Sequence, residues 1–427
     1  MTYKNDTKND RAWNQLFEKY KIIEEINRNS FFKIAANQIK EFREPRLMTK
    51  FDQKSNLPDI FLKNNLSILP ITRGSYIIGK FDAYADLTYN NIETIPFKIP
   101  PHIESIDPQH IYSEANALNT VFVGEVINHI LGEDTLPTIS GRMGTGNFDF
   151  KISSGNNSFN INILNSQCEI DGGFESQNKL LLIEAKNFKV DNFLIRQMYY
   201  PYRLWKDKVN KEVIPAFFTY SNDIFSFFIY KFNDKLNYNS LELVEQKNYA
   251  FEEEPITLDD IFNILTNTNI IKEPLNVPFP QADNFERIID LLGLLMESSL
   301  SKDDIASNYN FEKRQADYYT NAGIYLGLVK KEKSSKEIIY ELTPLGIQIM
   351  GQKHREKVLN ISQLILKHEV FHKTLREYFD TLSPATTENI VELMNLCYIH
   401  RVHKQSTFKR RSQTVIRWTE WILNLVE

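Results

Sequence analysis

The sequence predicts an α/β chain built as more than one domain, and three observations carry the prediction. Apolar runs rich in β-branched and aromatic residues at 180–183, 213–221 and 224–232 are interleaved with segments of helical apolar spacing at 113–131 and 190–206. Residues 252–282 hold four prolines and an acidic cluster, which places a boundary there. Beyond it the pattern changes to helix, helix, strand, lysine-rich turn, strand and helix. The chain therefore divides into an N-terminal region of residues 1–255, a linker at 256–282, a smaller domain at 283–352 and a helical tail at 353–427.

Composition narrows the class. Hydrophobic residues make up 42% of the 427, with 29 Phe and 20 Tyr, which is enough for sizeable cores and excludes a disordered chain. A net charge of −5 argues against a surface that binds nucleic acid all over, but a local basic cleft is compatible with it. Cys168 and Cys397 lie far apart and the opening MTYKNDTKNDRAW has no targeting pattern, so both read as reduced thiols of a cytoplasmic protein. No apolar run approaches the ~20 residues that span a bilayer, so no membrane partner is expected.

In chain order, residues 11–42 read as helix from the spacing of Trp13, Leu16, Phe17, Tyr20, Ile23 and Ile26, with Pro45 ending it. Residues 56–87 carry short β runs broken by Pro, Gly and Asn. Residues 113–131 form an amphipathic helix with Ser113 as N-cap. Its acids, Glu114 and Glu125, share a face but stand roughly 16 Å apart along the axis, so only one can join a single pocket. The glycine-rich stretch 136–152 reads as a loop around Arg142 running into a strand. Arg142 there meets a phosphate or a guanine edge, or the loop is a plain tight turn. No G-K-[ST] follows, so it is not a P-loop.

The chemistry concentrates in QCEIDGGFESQNKLLLIEAK, residues 167–186. Asp171 ends one extended run, and the apolar strand at 180–183 leads into Glu184-Ala185-Lys186, with Glu184 and Lys186 on one face. Paired as a hairpin, the two runs bring the Asp171 and Glu184 carboxylates together in an oxygen-rich pocket suited to Mg²⁺. The Lys186 amine beside it can orient or help deprotonate a water. The segment 190–206 reads as helix stopping near Pro201, with Tyr199, Tyr200, Tyr202 and Trp205 as core and Lys189, Arg196, Arg203 and Lys206 as a basic flank.

The second half holds a helix from about 283, a short helix at 301–308 and a longer one at 311–327. Two strands follow with Lys330, Lys331, Lys333 and Lys336 near their turn, then a helix opening at Thr343-Pro344. His368-Glu369-Val370-Phe371-His372 spells H-E-x-x-H, the spacing of a zinc protease, on a segment whose Leu364, Ile365, Phe371 and Leu375 read as core. From His400 to Trp418 there are six Lys or Arg, including Lys409, Arg410 and Arg411, and no acid. That makes a phosphate-contacting patch or the solvated face of a helix starting at Ser412.

The Asp171, Glu184 and Lys186 pattern resembles the PD-(D/E)XK nuclease superfamily, and within it a type II restriction endonuclease, with Ile170 in place of the motif's proline. The resemblance spans roughly residues 105–235; a literal Pro58-Asp59 elsewhere has no acid-x-Lys strand to match it. The 283–352 pattern resembles a winged helix-turn-helix. Together these imply a mixed-sheet nuclease core flanked by helices, plus an α+β winged-helix domain with a helical tail. They also imply Mg²⁺ held by Asp171 and Glu184, with Glu114 completing the site and Glu125 as second choice. Arg196 or Gln197 would support the site or touch the DNA backbone, while Lys313, Arg314, Gln315 and Tyr318 would enter the major groove. The implied partners are double-stranded DNA cut at a specific sequence, a second copy in a homodimer, and a DNA methyltransferase protecting host DNA. The rival readings are a winged-helix regulator without catalysis, a structure-specific or repair nuclease, and a zinc peptidase.

Overall fold

The computed structural model describes residues 7–108, 110–252, 255–309, 313–333, 338–397, 399 and 405–426. The chain is mixed α/β and forms two compact units. The first comprises Met1–Pro100, Ser113–Tyr220 and Ile224–Ala250; the second comprises Pro101–Tyr112, Ser221–Asp223 and Phe251–Glu427.

The first unit opens with the helix Lys8–Lys19, closed at its start by a reciprocal Thr7–Asp10 capping box. Its buried Trp13 and Phe17 pack edge to face with Phe61, and Leu16 is buried in the same cluster. The single helix expected over 11–42 is not one helix. The chain breaks at Lys21 (φ 48°), resumes as Ile22–Asn29, and turns at Ser30 (φ 69°) into the strand Phe31–Ala35. That strand pairs antiparallel with Ser75–Gly79, a long-range partner that helical spacing cannot reveal. Pro45 opens the short helix Pro45–Met48 instead of closing a helix, because its fixed φ and missing N–H suit the first turn.

The central sheet has seven strands in the order Thr94–Phe97, Leu241–Phe251, Ile224–Phe232, Glu212–Ser221, Lys179–Lys186, Gln167–Glu175 and Leu136–Gly144. It is mixed: Lys179–Lys186 runs parallel to Glu212–Ser221 and antiparallel to Gln167–Glu175. A parallel pair needs a crossover, and the helix Arg196–Lys206 supplies it. Leu180 through Ile183 are all buried, which accounts for an apolar run there that is unbroken and not merely on alternate positions. Pro201 lies inside the crossover helix and does not end it. An interior proline costs about 3 kcal/mol. Buried Tyr199, Tyr200 and Tyr202 on that helix pack into the sheet's core and offset the loss.

Two further departures bear on the site. The 113–131 helix is split into Glu114–Val123 and Val126–Leu131 by Glu125 at φ 59°, next to Gly124, where any side chain would run into the Phe97 ring. The glycine-rich stretch around Arg142 is a strand, Leu136–Gly144, followed by the hairpin Asn147–Ser154 and Asn157–Leu164.

In the second unit, Phe285–Glu297, Lys302–Tyr309 and Lys313–Tyr325 are followed by the paired strands Val329–Lys333 and Ile338–Leu342. Leu300–Ser301 adds a third short strand. Pro344–Met350 then begins with Thr343 capping Gly346 N at 3.0 Å. The stretch that reads as linker holds the capped helix Leu258–Asn267, with Ile261 and Leu265 buried. Four helices complete the unit: His354–Leu366, Glu369–Thr381, Thr387–Leu396 and Gln405–Leu423, the last beginning seven residues before Ser412. Among the described residues no helix is long and apolar enough to cross a membrane.

Candidate active site

Asp171 sits where the Gln167–Glu175 strand carries one residue more than its neighbour. Between the pairs Gly173↔Ile139 and Ile170↔Gly141 the register shifts, which is a bulge at Asp171-Gly172. Bulges re-aim a side chain, and here the carboxylate turns onto the other neighbour: Asp171 Oδ2 accepts the Ala185 amide at 2.8 Å. Asp171 is thereby held against the strand end that carries Glu184 and Lys186.

Glu184 is 7% exposed. Its Oε1 accepts from Lys186 Nζ at 2.5 Å and also from the Gln197 side-chain amide. The Lys186 ammonium donates as well to the Ala185 carbonyl at 2.8 Å. Burial pushes the Glu184 carboxyl up; Lys186 opposes that, and Asp171 and Asp52 add to it. Burial works to lower Lys186, but the charges of Glu184, Glu114, Asp52 and Asp171 together outweigh it and hold the ammonium protonated. In this arrangement Lys186 is a donor and a positive charge, not a base.

Glu114, in the first turn of its helix, is also pushed up by burial, with Lys186 lowering it and Asp171 raising it. Glu125, the other acid on that stretch, is exposed at the helix break and takes no part. Gln197 is joined to Glu184 by the crossover helix, and its Oε1 is buried without a hydrogen-bond partner. Asp52 and Lys50 are members that motif reading misses. They lie over a hundred residues before Asp171 in a stretch with no recognisable pattern, and only folding brings the Asp52 charge to Glu114, Glu184 and Lys186 and the Lys50 charge to Glu114.

The donors suit a hard divalent cation. The charges of Asp52, Glu114, Asp171 and Glu184 all act on Lys186, and Lys50 acts on Glu114, so acidic groups outnumber basic ones there four to two. The orphaned Gln197 oxygen is a further uncommitted acceptor. Among the described residues no group of three or more His, Cys, Asp or Glu is set to hold a metal ion. Mg²⁺ does not require one, since it keeps several waters and takes one or two carboxylates plus substrate phosphates.

Other predicted residues fall elsewhere. Arg142 is on an exposed strand and pairs with Glu169 at 3.1 Å. The Arg196 guanidinium lies over the Tyr200 ring, 5.6 Å from its centre, with Nε buried and unpartnered. Arg203 is buried, donating to the Asp149 carbonyl at 2.7 Å, and so belongs to the core and not to a basic flank.

In the second unit, Gln315 and Tyr318 lie on the Lys313–Tyr325 helix, Gln315 exposed and Tyr318 half-buried. The side chains of Lys313 and Arg314, the turn residues 334–337 and the basic residues 400–404 lie outside the described residues. Lys409 and Arg410 are exposed, but Arg411 is buried and donates to the Phe279 carbonyl. Burial first, then Arg410, pull its guanidinium down to about 10. Arg411 is an internal tie, because its face of the helix also carries buried Phe408, Val415 and Trp418.

His368 precedes the Glu369–Thr381 helix as its N-cap, so the two histidines of H-E-x-x-H do not share a helical face. Its ring stacks on Tyr325 at 3.9 Å and faces Glu273 at 3.3 Å, while His372 Nε2 is bonded to the Leu265 carbonyl at 3.0 Å. Both are spent on packing.

Three families match successive stretches of the chain. Each is described only as a domain of unknown function: DUF6996 over residues 10–78, DUF6997 over 79–250 and DUF7226 over 287–427. No curated protein and no solved structure matches the chain.

Proposed function

We propose that this chain is a Mg²⁺-dependent endonuclease that cuts double-stranded DNA at a specific sequence, a type II restriction enzyme with a PD-(D/E)XK core and a winged helix-turn-helix. The observation that carries the reading is the Asp171 carboxylate bonded to the Ala185 amide between Glu184 and Lys186, at the end of a buried strand.

Each side chain then has a role set by its surroundings. Asp171 and Glu184 would hold the ion, with Glu114 completing the site. Bound there, Mg²⁺ supplies a nucleophilic water and charge stabilisation at the phosphate. Lys186, held as an ammonium by its carboxylate neighbours, would orient an attacking water and donate to the phosphate oxygens. Gln197 keeps the Glu184 carboxylate aimed. The winged helix, with Gln315 and Tyr318, and the exposed Lys409 and Arg410 help to hold or read the duplex. A homodimer and a protecting methyltransferase follow from the same reading, since cutting both strands uses two sites.

The test is incubation of the purified protein with unmethylated phage DNA in Mg²⁺ or in EDTA. Discrete fragments that need Mg²⁺ are expected. A smear or preference for branched substrates would point to a repair nuclease. Binding with intact DNA in Mg²⁺ would leave a regulator.

A further inference from the structure

Residues 33–54 carry Lys33, Lys40, Arg43, Arg46, Lys50 and Lys54 against Glu41, Glu44 and Asp52, an excess of three positive charges in a chain of net −5. The stretch lies inside the 10–78 family match, whereas Glu114, Asp171, Glu184 and Lys186 belong to the 79–250 match. Five of the six basic side chains are exposed and Arg43 is half-buried. Among the described residues Lys33, Lys40, Arg43 and Arg46 pair with no carboxylate. Lys50 stands 3.8 Å from Asp52, and Lys54 stands 3.3 Å from Asp86, which is itself 80% exposed. Surface pairs of that kind are worth about 0–1 kcal/mol and yield to a stronger anion. Of the acids, Glu41 is taken up by Lys19 and by the Tyr20 hydroxyl.

The backbone beneath these side chains is bonded inward along its length. The Ala36 amide donates to the Gly74 carbonyl at 2.8 Å. From the first helix, the Asn9 and Trp13 side chains donate to the Leu47 and Met48 carbonyls at 2.9 and 3.0 Å. At the far end the Tyr84 hydroxyl donates to the Phe51 carbonyl at 2.8 Å and the Leu194 amide to the Asp52 carbonyl at 2.8 Å. The Lys54 amide donates to Asn192 Oδ1 at 2.7 Å. Leu194 lies three residues before Gln197, whose amide bonds Glu184, so this end of the stretch is fastened to the framework of the site. We propose that residues 33–54 are a phosphate track that holds the backbone of the duplex flanking the bond to be cut, with Lys50 and Lys54 at its end nearest the site. Cations without partners, on a backbone already ordered, in a chain acidic elsewhere, fit a polyanion and lose little freedom on meeting it. The inference rests on the nuclease reading above, and gives the N-terminal region a share in holding the substrate.

The test uses the full chain and a fluorescein-labelled duplex of mixed sequence, with Ca²⁺ in place of Mg²⁺ so that the DNA stays intact. Anisotropy gives the affinity from about 50 to about 200 mM KCl, where each phosphate contact adds about 0.9 to the slope of log affinity against log salt. Lys33→Ala, Lys40→Ala and Arg46→Ala should each flatten that slope by about 1, and the three together by about 3. The thermal midpoint should hold, because all three side chains are exposed. Lys231→Ala, which removes the same charge from the exposed surface of the Ile224–Phe232 strand, should leave the slope alone. An unchanged slope in the triple variant overturns the inference, and so does an equal flattening by Lys231→Ala. Wild-type protein that neither binds the duplex nor cuts phage DNA in Mg²⁺ brings down the nuclease reading and this inference with it. Wild-type protein that binds and cuts, with the slope untouched in the triple variant, brings down the inference alone.

Discussion

Replacing Lys186 by methionine keeps most of the side chain's unbranched stem and removes its charge, which makes chemistry and stability separately readable. In the chemical step the variant loses an oriented donor at a developing charge. Such a loss is worth about 10³-fold in rate, or about 4 kcal/mol. Duplex binding in Ca²⁺ should be unaffected. In the folded state, Glu184 is left buried with the Gln197 amide but without its ammonium. Breaking a buried pair from one side costs about 3–5 kcal/mol when the remaining group stays charged.

The pH dependence carries a definite sign. Burial already raises the Glu184 carboxyl, and Lys186 is the strongest opposing influence, so its removal raises the carboxyl further. The folded variant then holds a proton on Glu184 that the unfolded chain releases. Wild type and variant lose stability alike up to about 8, the wild-type folded value, so the variant falls further behind only as pH rises from about 8 toward its own higher value. Denaturant unfolding at pH 7 and pH 9.5 should therefore show the smaller deficit at the lower pH and the larger one at the higher. A deficit independent of pH, or cleavage within tenfold of wild type, would refute the placement of Lys186 against Glu184.

Gln197→Leu should slow cleavage about 10- to 100-fold with the fold retained, through loss of the bond that aims Glu184, as initial rates on plasmid DNA would show. His368→Ala should abolish no zinc-dependent activity, because elemental analysis will find no stoichiometric zinc. It should instead destabilise the second unit by about 1–3 kcal/mol through loss of the Tyr325 stack and the Glu273 contact, read by thermal unfolding. Lys409→Ala and Arg410→Ala should each flatten the salt dependence of DNA binding by a slope of about 1. Arg411→Ala should leave that slope alone and lower the unfolding midpoint, since its guanidinium ties the helix to Phe279.

The three adjacent strands at 179–186, 212–221 and 224–232 are visible in the chain because burial demands unbroken apolar runs. The helix beginning at Thr343-Pro344 is visible because its cap is made by neighbours. The same holds for Asp171, Glu184 and Lys186, whose spacing is local to one hairpin. Where a residue's role depends on a distant partner, the reading strayed. Phe31–Ala35 falls inside the stretch read as helix but pairs with Ser75–Gly79. Arg203 and Arg411 look like phosphate contacts until carbonyls at Asp149 and Phe279 claim them.

Linear order thus settles whatever is paid out within a turn or along one strand: apolar periodicity, capping, and the identity of the acids and the lysine in the motif. It is silent on what arrives from afar. The bulge that turns Asp171 onto the Ala185 amide depends on the register with Leu136–Gly144, and the Asp52 charge depends on a loop pinned to Leu194. Electrostatics and backbone pairing act through space, and only when the chain is closed do these groups come within reach of one another.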